Sequence, residues 1–327
     1  MNRKPILGIV VPCYNEEEVI GKSLGILIQF LKQNIEQKAI SPKSFIGIVD
    51  DRSKDKSWDI IKAYAAKTDS IHAIRFSSNR GHQFAILAGL QEFNHMADCL
   101  VTIDADLQDD IGVIQTMIKK FREGNEIVYG VRTARTKDSF FKRFTSSGFY
   151  KLLRGGLGVN IIFNHADFRL TSKRVNEELK NFREVNLFLR GVFPLMGFNT
   201  AVVPYERLER TAGRTKYTFG KMMSLAFDGI TSFSTVPLQI IIVIAFIVFI
   251  ICVILIIYAI VSYMSGNVIP GWFSTVLPFY FLGGVQILCI GILGEYLGKI
   301  YKEVKNRPRF IIDESIGSGG RSLREPR

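Results

Sequence analysis

The chain has 327 residues, 47% of them apolar and 22% charged, which excludes a disordered chain and a low-complexity fibre. Lys+Arg 42 against Asp+Glu 30 leaves a net charge of +12, which points to nucleic acid, an anionic membrane surface or phosphate-bearing ligands. Cys13, Cys99, Cys252 and Cys289 lie far apart with no CxxC, which argues against a disulfide scaffold or a thiolate zinc site and fits a reducing compartment.

The opening residues MNRKPILGIVVP do not read as a signal peptide, because Pro12 and the run Asn15–Glu18 cut the apolar stretch short. From there, short β-rich runs alternate with helical patterns. Ile6–Val11 precedes a helix over Glu16–Leu31, and Phe45–Val49 precedes one over Lys54–Ala66. Ala73–Phe76 precedes Gln83–Phe93, Cys99–Ile103 precedes Ile111–Phe121, and Ile127–Tyr129 follows. Such alternation predicts an α/β domain over residues 1–230, with a mainly parallel sheet and helices on both faces. Ligands of such sheets bind at the carboxyl ends of the strands. Those ends carry Pro12–Glu16, Asp50–Ser53, Asp104–Asp106 and Gly130–Arg132.

Segment Ser139–Leu153, SFFKRFTSSGFYKLL, interleaves Phe140, Phe141, Phe144 and Phe149 with Lys142, Arg143 and Lys151. It reads as a basic amphipathic helix, either lying at a membrane surface or packed on a core. Interfacial helices are expected over about 139–154 and 219–235. Between Asp228 and Glu295 there are 66 positions without a charge. Ile240–Val261 and Trp272–Leu293, 22 residues each, are long enough to cross a bilayer. Two transmembrane helices are expected over about 238–262 and 272–295 within 236–298. Gly283, Gly284, Gly291, Gly294 and Gly298 suit close helix packing in the second.

The tail 299–327 carries Lys299, Lys302, Lys305, Arg307 and Arg309, while the linker between the runs carries no charge. The positive-inside rule puts the N-terminal domain and both termini in the cytoplasm of a multi-pass membrane protein. The last dozen residues, Ser315–Arg327, read as a loose tail.

Asp104-Ala105-Asp106-Leu107-Gln108-Asp109 follows the apolar run CLVTI. Two carboxylates two apart, with an amide oxygen at Gln108, suit a hard divalent cation shared with substrate phosphates, although a solvated acidic turn has the same composition. His72, His82, His95 and His165 show no HxxxH or HExxH spacing. His82 opens a predicted helix and reads first as a cap or a loop-packing residue. Gly155-Gly156-Leu157-Gly158 follows a predicted helix instead of a strand, which argues against a dinucleotide fingerprint, and no GxxxxGK[ST] is present.

The segments VVPCYNEEE, IVDDRSKDKS, NRGHQFAILAGL, TIDADLQDD, VYGVRTAR, NHADFRL and RLERTAGRTKYTFGKM run in order from residue 10 to residue 222. Taken together they resemble glycosyltransferase family 2, of the GT-A fold, and within it the polyprenyl-phosphate glycosyltransferases such as the bactoprenol glucosyltransferases and dolichol-phosphate mannose synthase. The family commonly continues DADLQD with two prolines. Asp110-Ile111 stand there instead, which puts the start of the next helix in doubt.

The resemblance implies a metal-dependent, inverting transfer of a sugar from a nucleotide diphosphate donor to polyprenyl phosphate. Pro12, Tyr14, Asn15, Glu16, Asp51 and Asp104 would hold the nucleotide sugar, and Asp104, Asp106 and Gln108 would hold Mg²⁺ or Mn²⁺. Arg132, Arg143 and Ser147 would hold the acceptor phosphate. Asp167, Arg132 and Lys216 would serve the chemistry. A phosphate monoester is already largely anionic at neutral pH, so Asp167 is expected to position groups more than to take a proton. A UDP-sugar is favoured, glucose first, ahead of N-acetylglucosamine or mannose donors. A homo-oligomer, a tetramer by resemblance, is expected, and no nucleic-acid partner is. A processive polysaccharide synthase is the rival enzyme, but Leu189-Arg190-Gly191-Val192 lacks the Gln and Trp of its QxxRW motif. A membrane scaffold or flippase subunit is the non-enzymatic alternative.

Overall fold

The computed structural model describes residues 4–132, 165–184, 189–206, 236–265 and 271–317. They fall into two units, one taking in 4–132, 165–184, 189–206 and 308–317, the other 236–265 and 271–307.

In the first unit, β1 (Leu7–Cys13), α1 (Ile20–Glu36), β2 (Phe45–Asp50), α2 (Ser57–Lys67), β3 (Ile71–Phe76) and α3 (His82–Glu92) alternate as expected. So do β4 (Cys99–Thr102), α4 (Val113–Arg122) and β5 (Ile127–Arg132). Then come β6 (His165–Ser172), α5 (Lys173–Glu178), α6 (Leu189–Leu195), β7 (Thr200–Tyr205) and, far downstream, β8 (Ile312–Ile316). The eight strands form one sheet in the order β7-β5-β6-β4-β1-β2-β3-β8. β6 runs antiparallel to β4 and β5, and β8 antiparallel to β3, while the other pairs are parallel.

Every residue of β1 and β2 is buried, because helices cover both faces of the sheet. Ile20, Leu24, Trp58, Ile61, Ile114 and Met117 from α1, α2 and α4 pack on one face. Ala85, Ile86, Val175, Leu189 and Val192 from α3, α5 and α6 pack on the other. Gly89 lets α3 approach closely, since a Cβ there would stand 2.3 Å from Val10 Cγ1 and 3.1 Å from Val49 Cγ2.

Three local differences from the sequence reading have physical causes. α1 begins at Ile20 instead of Glu16, because Asn15, Glu16 and Glu17 are tied by hydrogen bonds to the loop after β2. α4 begins at Val113, and Asp110, standing where the family has proline, accepts a 2.8 Å bond from the Gly112 N–H just before it. The expected loose tail is partly a strand: β8 includes Ser315 and Ile316 and hydrogen-bonds along β3. The Ser77 N–H donates to the Ile311 carbonyl at 2.9 Å, and Phe310 stacks on Phe76 with centroids 5.1 Å apart.

The second unit contains α7 (Val236–Met264, 29 residues) and α8 (Trp272–Val304, 33 residues), so both long apolar runs are helical. Among the described residues, Phe281–Val304 is long and apolar enough to cross a membrane. Its large side chains are bare, Ile287 at 73% and Leu297 at 67% exposure. Among the described residues, leaving aside the helix's own backbone, no atom lies within 4 Å of a Cβ built at Gly283, Gly284, Gly291, Gly294 or Gly298.

Candidate active site

The central strands β4, β1 and β2 end side by side, and their carboxyl ends bring three loops together. Each loop contains one non-glycine residue in the left-handed region: Asn15 (φ 54°), Arg52 (φ 60°) and Leu107 (φ 46°). For Leu107 this is a costly conformation, and such strain concentrates at functional sites.

The first two loops brace one another. The Asn15 N–H donates to Ser53 Oγ (3.0 Å) and the Glu16 N–H to Ser57 Oγ (2.9 Å). In return, the Lys54 N–H donates to Asn15 Oδ1 (2.8 Å) and the Lys56 N–H to Glu17 Oε2 (3.0 Å). The Asn15 side chain is thus engaged in the scaffold of the site. Pro12 is buried in β1, and Tyr14 stands at its end, 40% exposed. Ser23 on α1 donates to the Ala105 carbonyl at 2.6 Å and fixes the third loop.

Asp50 and Asp51 are both buried, and they divide their work. Asp50 accepts from the Ser53 N–H and from Arg75 Nε, each at 3.1 Å. Arg75 in turn reaches Glu314 of β8 at 3.2 Å, and Arg52 pairs with Asp313 at 2.6 Å. Asp51 faces the other way and accepts from the backbone N–H groups of Arg80 (2.6 Å) and Gly81 (2.8 Å). Burial pushes its carboxyl up, against those two bonds. Asp51 therefore fixes the turn that launches α3, and with it His82.

Asp104 and Asp106 flank the buried Ala105, and Asp106 Oδ1 accepts from the Gln108 N–H at 3.3 Å. Glu16 is held above the usual carboxylate range by burial, then by Asp106, Asp55 and Asp104. Burial also raises Asp104, His82 opposes it, and Asp109, Asp167 and Asp106 add to the rise. This is a crowd of carboxylates short of positive charge.

Beside it lies a cluster of opposite character. Because β6 is antiparallel, its amino end lies at the same edge as the carboxyl end of β4, with Thr102 opposite Arg169. That register brings Asp167 level with Asp104. Asp167, 8% exposed, takes Arg169 Nη2 on Oδ1 at 2.7 Å. Arg190 forks onto it, Nε to Oδ1 at 3.1 Å and Nη2 to Oδ2 at 2.8 Å. His82 Nε2 stands 3.5 Å from Asp167 Oδ2 and 3.6 Å from Asp104 Oδ1.

Burial works against the Asp167 charge, but His82, Arg190 and Arg169 outweigh it and hold the carboxyl well below its ordinary value. Burial likewise opposes charge on His82, and Asp167 and Asp104 raise it above the ordinary imidazole value. The ring does not cap α3, one of the two roles the sequence reading preferred; it stands between Asp104 of the loop after β4 and Asp167 of β6.

Arg132 ends β5 and is tied down: Nε and Nη2 reach Asp109 Oδ1 at 3.3 and 3.0 Å, and Nε reaches the Tyr205 hydroxyl at 3.1 Å. The Tyr205 hydroxyl donates to the same Asp109 oxygen at 2.7 Å. Asp109, Tyr205, Arg169 and Arg190 were not singled out from sequence. The signal for the last two was the charge spacing in DFR and FLRG, which gains meaning only once β6 and α6 are adjacent. Arg143, Ser147 and Lys216, and the expected interfacial helices, lie outside the described residues.

Residues 8–180 match the sequence profile of glycosyl transferase family 2. The chain belongs to that family. An uncharacterized glycosyltransferase of Bacillus subtilis (strain 168), YkoT, is 47% identical over 95% of this chain and 92% of its own. The SfII prophage-derived bactoprenol glucosyl transferase of Shigella flexneri is 39% identical over 94% of this chain and 98% of its own. Among solved structures, the mannosyltransferase PcManGT from Pyrobaculum calidifontis, in complex with GDP-Man and Mn²⁺, is 18% identical with a TM-score of 0.43, covering 65% of this chain and 59% of that one. The mostly parallel sheet of this family 2 glycosyltransferase is GT-A-like, and its acidic loops stand where such sheets bind ligands.

Proposed function

We propose that this glycosyltransferase moves a hexosyl group, glucose first, from a UDP-sugar to polyprenyl phosphate at the cytoplasmic face of the membrane, with inversion at C1. The observation that carries the reading is the meeting, at one sheet edge, of the carboxylates Glu16, Asp104 and Asp106 with the cation-bound Asp167. One side suits a metal-bridged diphosphate, the other an anionic nucleophile. The Shigella relative supports the lipid acceptor through its name and its near full-length match.

Mg²⁺ or Mn²⁺ fits the donor set. Burial first, and then the neighbouring carboxylates, raise Glu16 and Asp104, and a cation would offset both. Among the described residues no three His, Cys, Asp or Glu side chains form a closed cage. Magnesium is commonly held by one or two carboxylates, with phosphate and water completing the shell. Asp104, Asp106 and Gln108 would hold the ion, which when bound neutralises charge on the diphosphate.

The chain's own residues do the rest. Pro12, Tyr14, Glu16 and Asp51 line the nucleotide side. Asp104 also faces the donor, and Asn15 stiffens its loop. Arg132 and Lys216 neutralise phosphate charge as it develops. Arg143 and Ser147 reach the acceptor phosphate. An oxygen of that phosphate attacks C1, the C1–O bond to the diphosphate breaks, and the electron pair leaves with UDP. No proton need be removed, because the monoester, with a second pKa of about 6, is already an anion. Asp167, with its oxygens engaged by Arg169, Arg190 and His82, acts as an organiser instead of a base.

Two spans, α7 and α8, confine the enzyme to the surface that holds its acceptor, which removes much of the entropic cost of encounter. The basic residues after Glu295 favour a cytoplasmic catalytic unit. The small-residue stripe Gly283, Gly284, Gly291, Gly294 and Gly298 on α8 suits close helix packing, in the hairpin or in a homo-oligomer.

The test is incubation of the full chain in nanodiscs with undecaprenyl phosphate and radiolabelled UDP-glucose, UDP-N-acetylglucosamine or GDP-mannose. Label from UDP-glucose is expected in the lipid extract. Label in polymer, or in neither fraction with any donor, refutes the reading.

A further inference from the structure

Two acidic side chains of the tail strand β8 reach back to a loop of the candidate active site. Glu314 stands opposite Arg75 of β3, and Ile312 opposite Phe76, so Asp313 is the extra residue of a bulge. In a regular strand neighbouring side chains point to opposite faces of the sheet, and a bulge re-aims one of them. Here Asp313 meets Arg52 at 2.6 Å while Glu314 meets Arg75 at 3.2 Å. Both arginines bear on the loop after β2: Arg52 belongs to it, and Arg75 holds it at Asp50 and at Ser53.

All three nitrogens of Arg75 are engaged. Nε donates to Asp50 Oδ2 at 3.1 Å, Nη2 to the Ser53 carbonyl at 3.1 Å and Nη1 to Glu314 Oε1 at 3.2 Å. Glu314 is itself fixed, because the Trp58 indole N–H donates to Oε2 at 3.1 Å, and the Arg75 guanidinium lies over that ring, 5.5 Å from its centroid. From Ser53 the support passes to the first loop, whose Asn15 N–H donates to Ser53 Oγ. Arg52 has φ 60°, a conformation that persists where its surroundings over-determine it. Stability alone does not account for the two acids. The Asp313 and Glu314 side chains are 46% and 44% exposed, and pairs so exposed add little to it. Backbone pairing with β3 and the stacking of Phe310 on Phe76 hold the tail in place in any case.

We propose that Glu314 and Asp313 are positioning residues of the donor site: through Arg75 and Arg52 they set the Asp50–Ser53 loop, and with it Asp51, for the donor's nucleotide. The inference rests on the transferase reading above, which puts Asp51 on the nucleotide side. Neither acid touches a substrate, so the effect falls on donor affinity and not on the chemical step.

Initial rates of the full chain in nanodiscs with undecaprenyl phosphate are measured with whichever of UDP-glucose, UDP-N-acetylglucosamine and GDP-mannose the wild type uses. Glu314→Gln is expected to raise the donor KM about 3- to 10-fold, with kcat and the acceptor KM within about twofold of wild type. Asp313→Asn is expected to raise it about 2- to 5-fold, and Asp313→Arg by more. Adding Arg52→Asp to Asp313→Arg rebuilds the pair with its charges exchanged and should bring the donor KM back to within about twofold of wild type. A merely structural role would lower the rate along with the thermal midpoint and leave the donor KM where it was. Should Glu314→Gln fail to fold, the Asp313 series decides. An unchanged donor KM in the folded variants, or a rise confined to the acceptor KM, overturns the positioning role alone. A wild-type chain that uses none of the three donors overturns the transferase reading and this role with it.

Discussion

Replacing Asp167 by Asn separates an organising carboxylate from a catalytic base. The amide keeps the shape but loses the charge, and one of its two acceptor oxygens becomes a donor. Arg169, fully buried, then loses its ionic partner, and the new N–H₂ faces Arg190 together with either Arg169 or His82. Removing one partner of a buried pair costs about 3–5 kcal/mol. Asp167→Asn should therefore lower unfolding free energy by about that much at pH 7, read from chemical denaturation of the solubilised chain.

The pH dependence has a fixed sign. The folded carboxyl titrates below its unfolded value of about 4, so its stabilisation is fully present at pH 7. It is lost as pH falls below about 4, through the folded value. The gap between wild type and variant should narrow in that window, and again above the ordinary imidazole value of about 6.5, where His82, raised by Asp167, gives up its proton. Turnover should fall by a similar factor at every pH from 6 to about 9, since the acceptor ionises near 6 in either enzyme. A variant as stable as wild type at pH 7, or one whose activity recovers steeply as pH rises, would refute the organising role.

Asp106→Asn should abolish turnover while leaving the circular dichroism spectrum intact, and EDTA should do the same to wild type; full activity in either case removes the metal from the mechanism. Tyr205→Phe takes one donor from Asp109 and one partner from Arg132, so stability should fall by about 1 kcal/mol, read by thermal melting, with kcat lowered more than the donor KM raised. Gly89→Ala forces a methyl to 2.3 Å from Val10 and should cost about 1–3 kcal/mol in a denaturant titration; a neutral outcome would mean that α3 can lift from the sheet without penalty.

The parallel half of the sheet was legible because its strands are apolar runs followed by helical patterns, and the strand-end rule then found Glu16, Asp51, Asp104 and Asp106 without any contact information. β6 was not. HADFRLTS carries an aspartate and an arginine in the middle of a buried strand, and these are tolerable only because each neutralises the other. A composition-based reading scores them as exposed. β8 failed for a similar reason: IDESI looks like solvated tail until Arg52 and Arg75, distant in sequence, are seen to receive Asp313 and Glu314. The surroundings of His82 were not legible because they come from the loop after β4 and from β6, and local spacing records neither.

Arg75 and the Glu314 that meets it are 239 residues apart. A ribosome adding about 5–20 residues per second needs roughly 10–50 s to cover that distance. For all that time the β3 edge is open, and open edges are where nascent sheets stick to one another. The strand that seals it arrives only after α7 and α8 have been made. Maturation of the globular half is thereby timed by synthesis of the apolar half, and a chain cut short within those helices carries an unsealed edge for quality-control machinery to find.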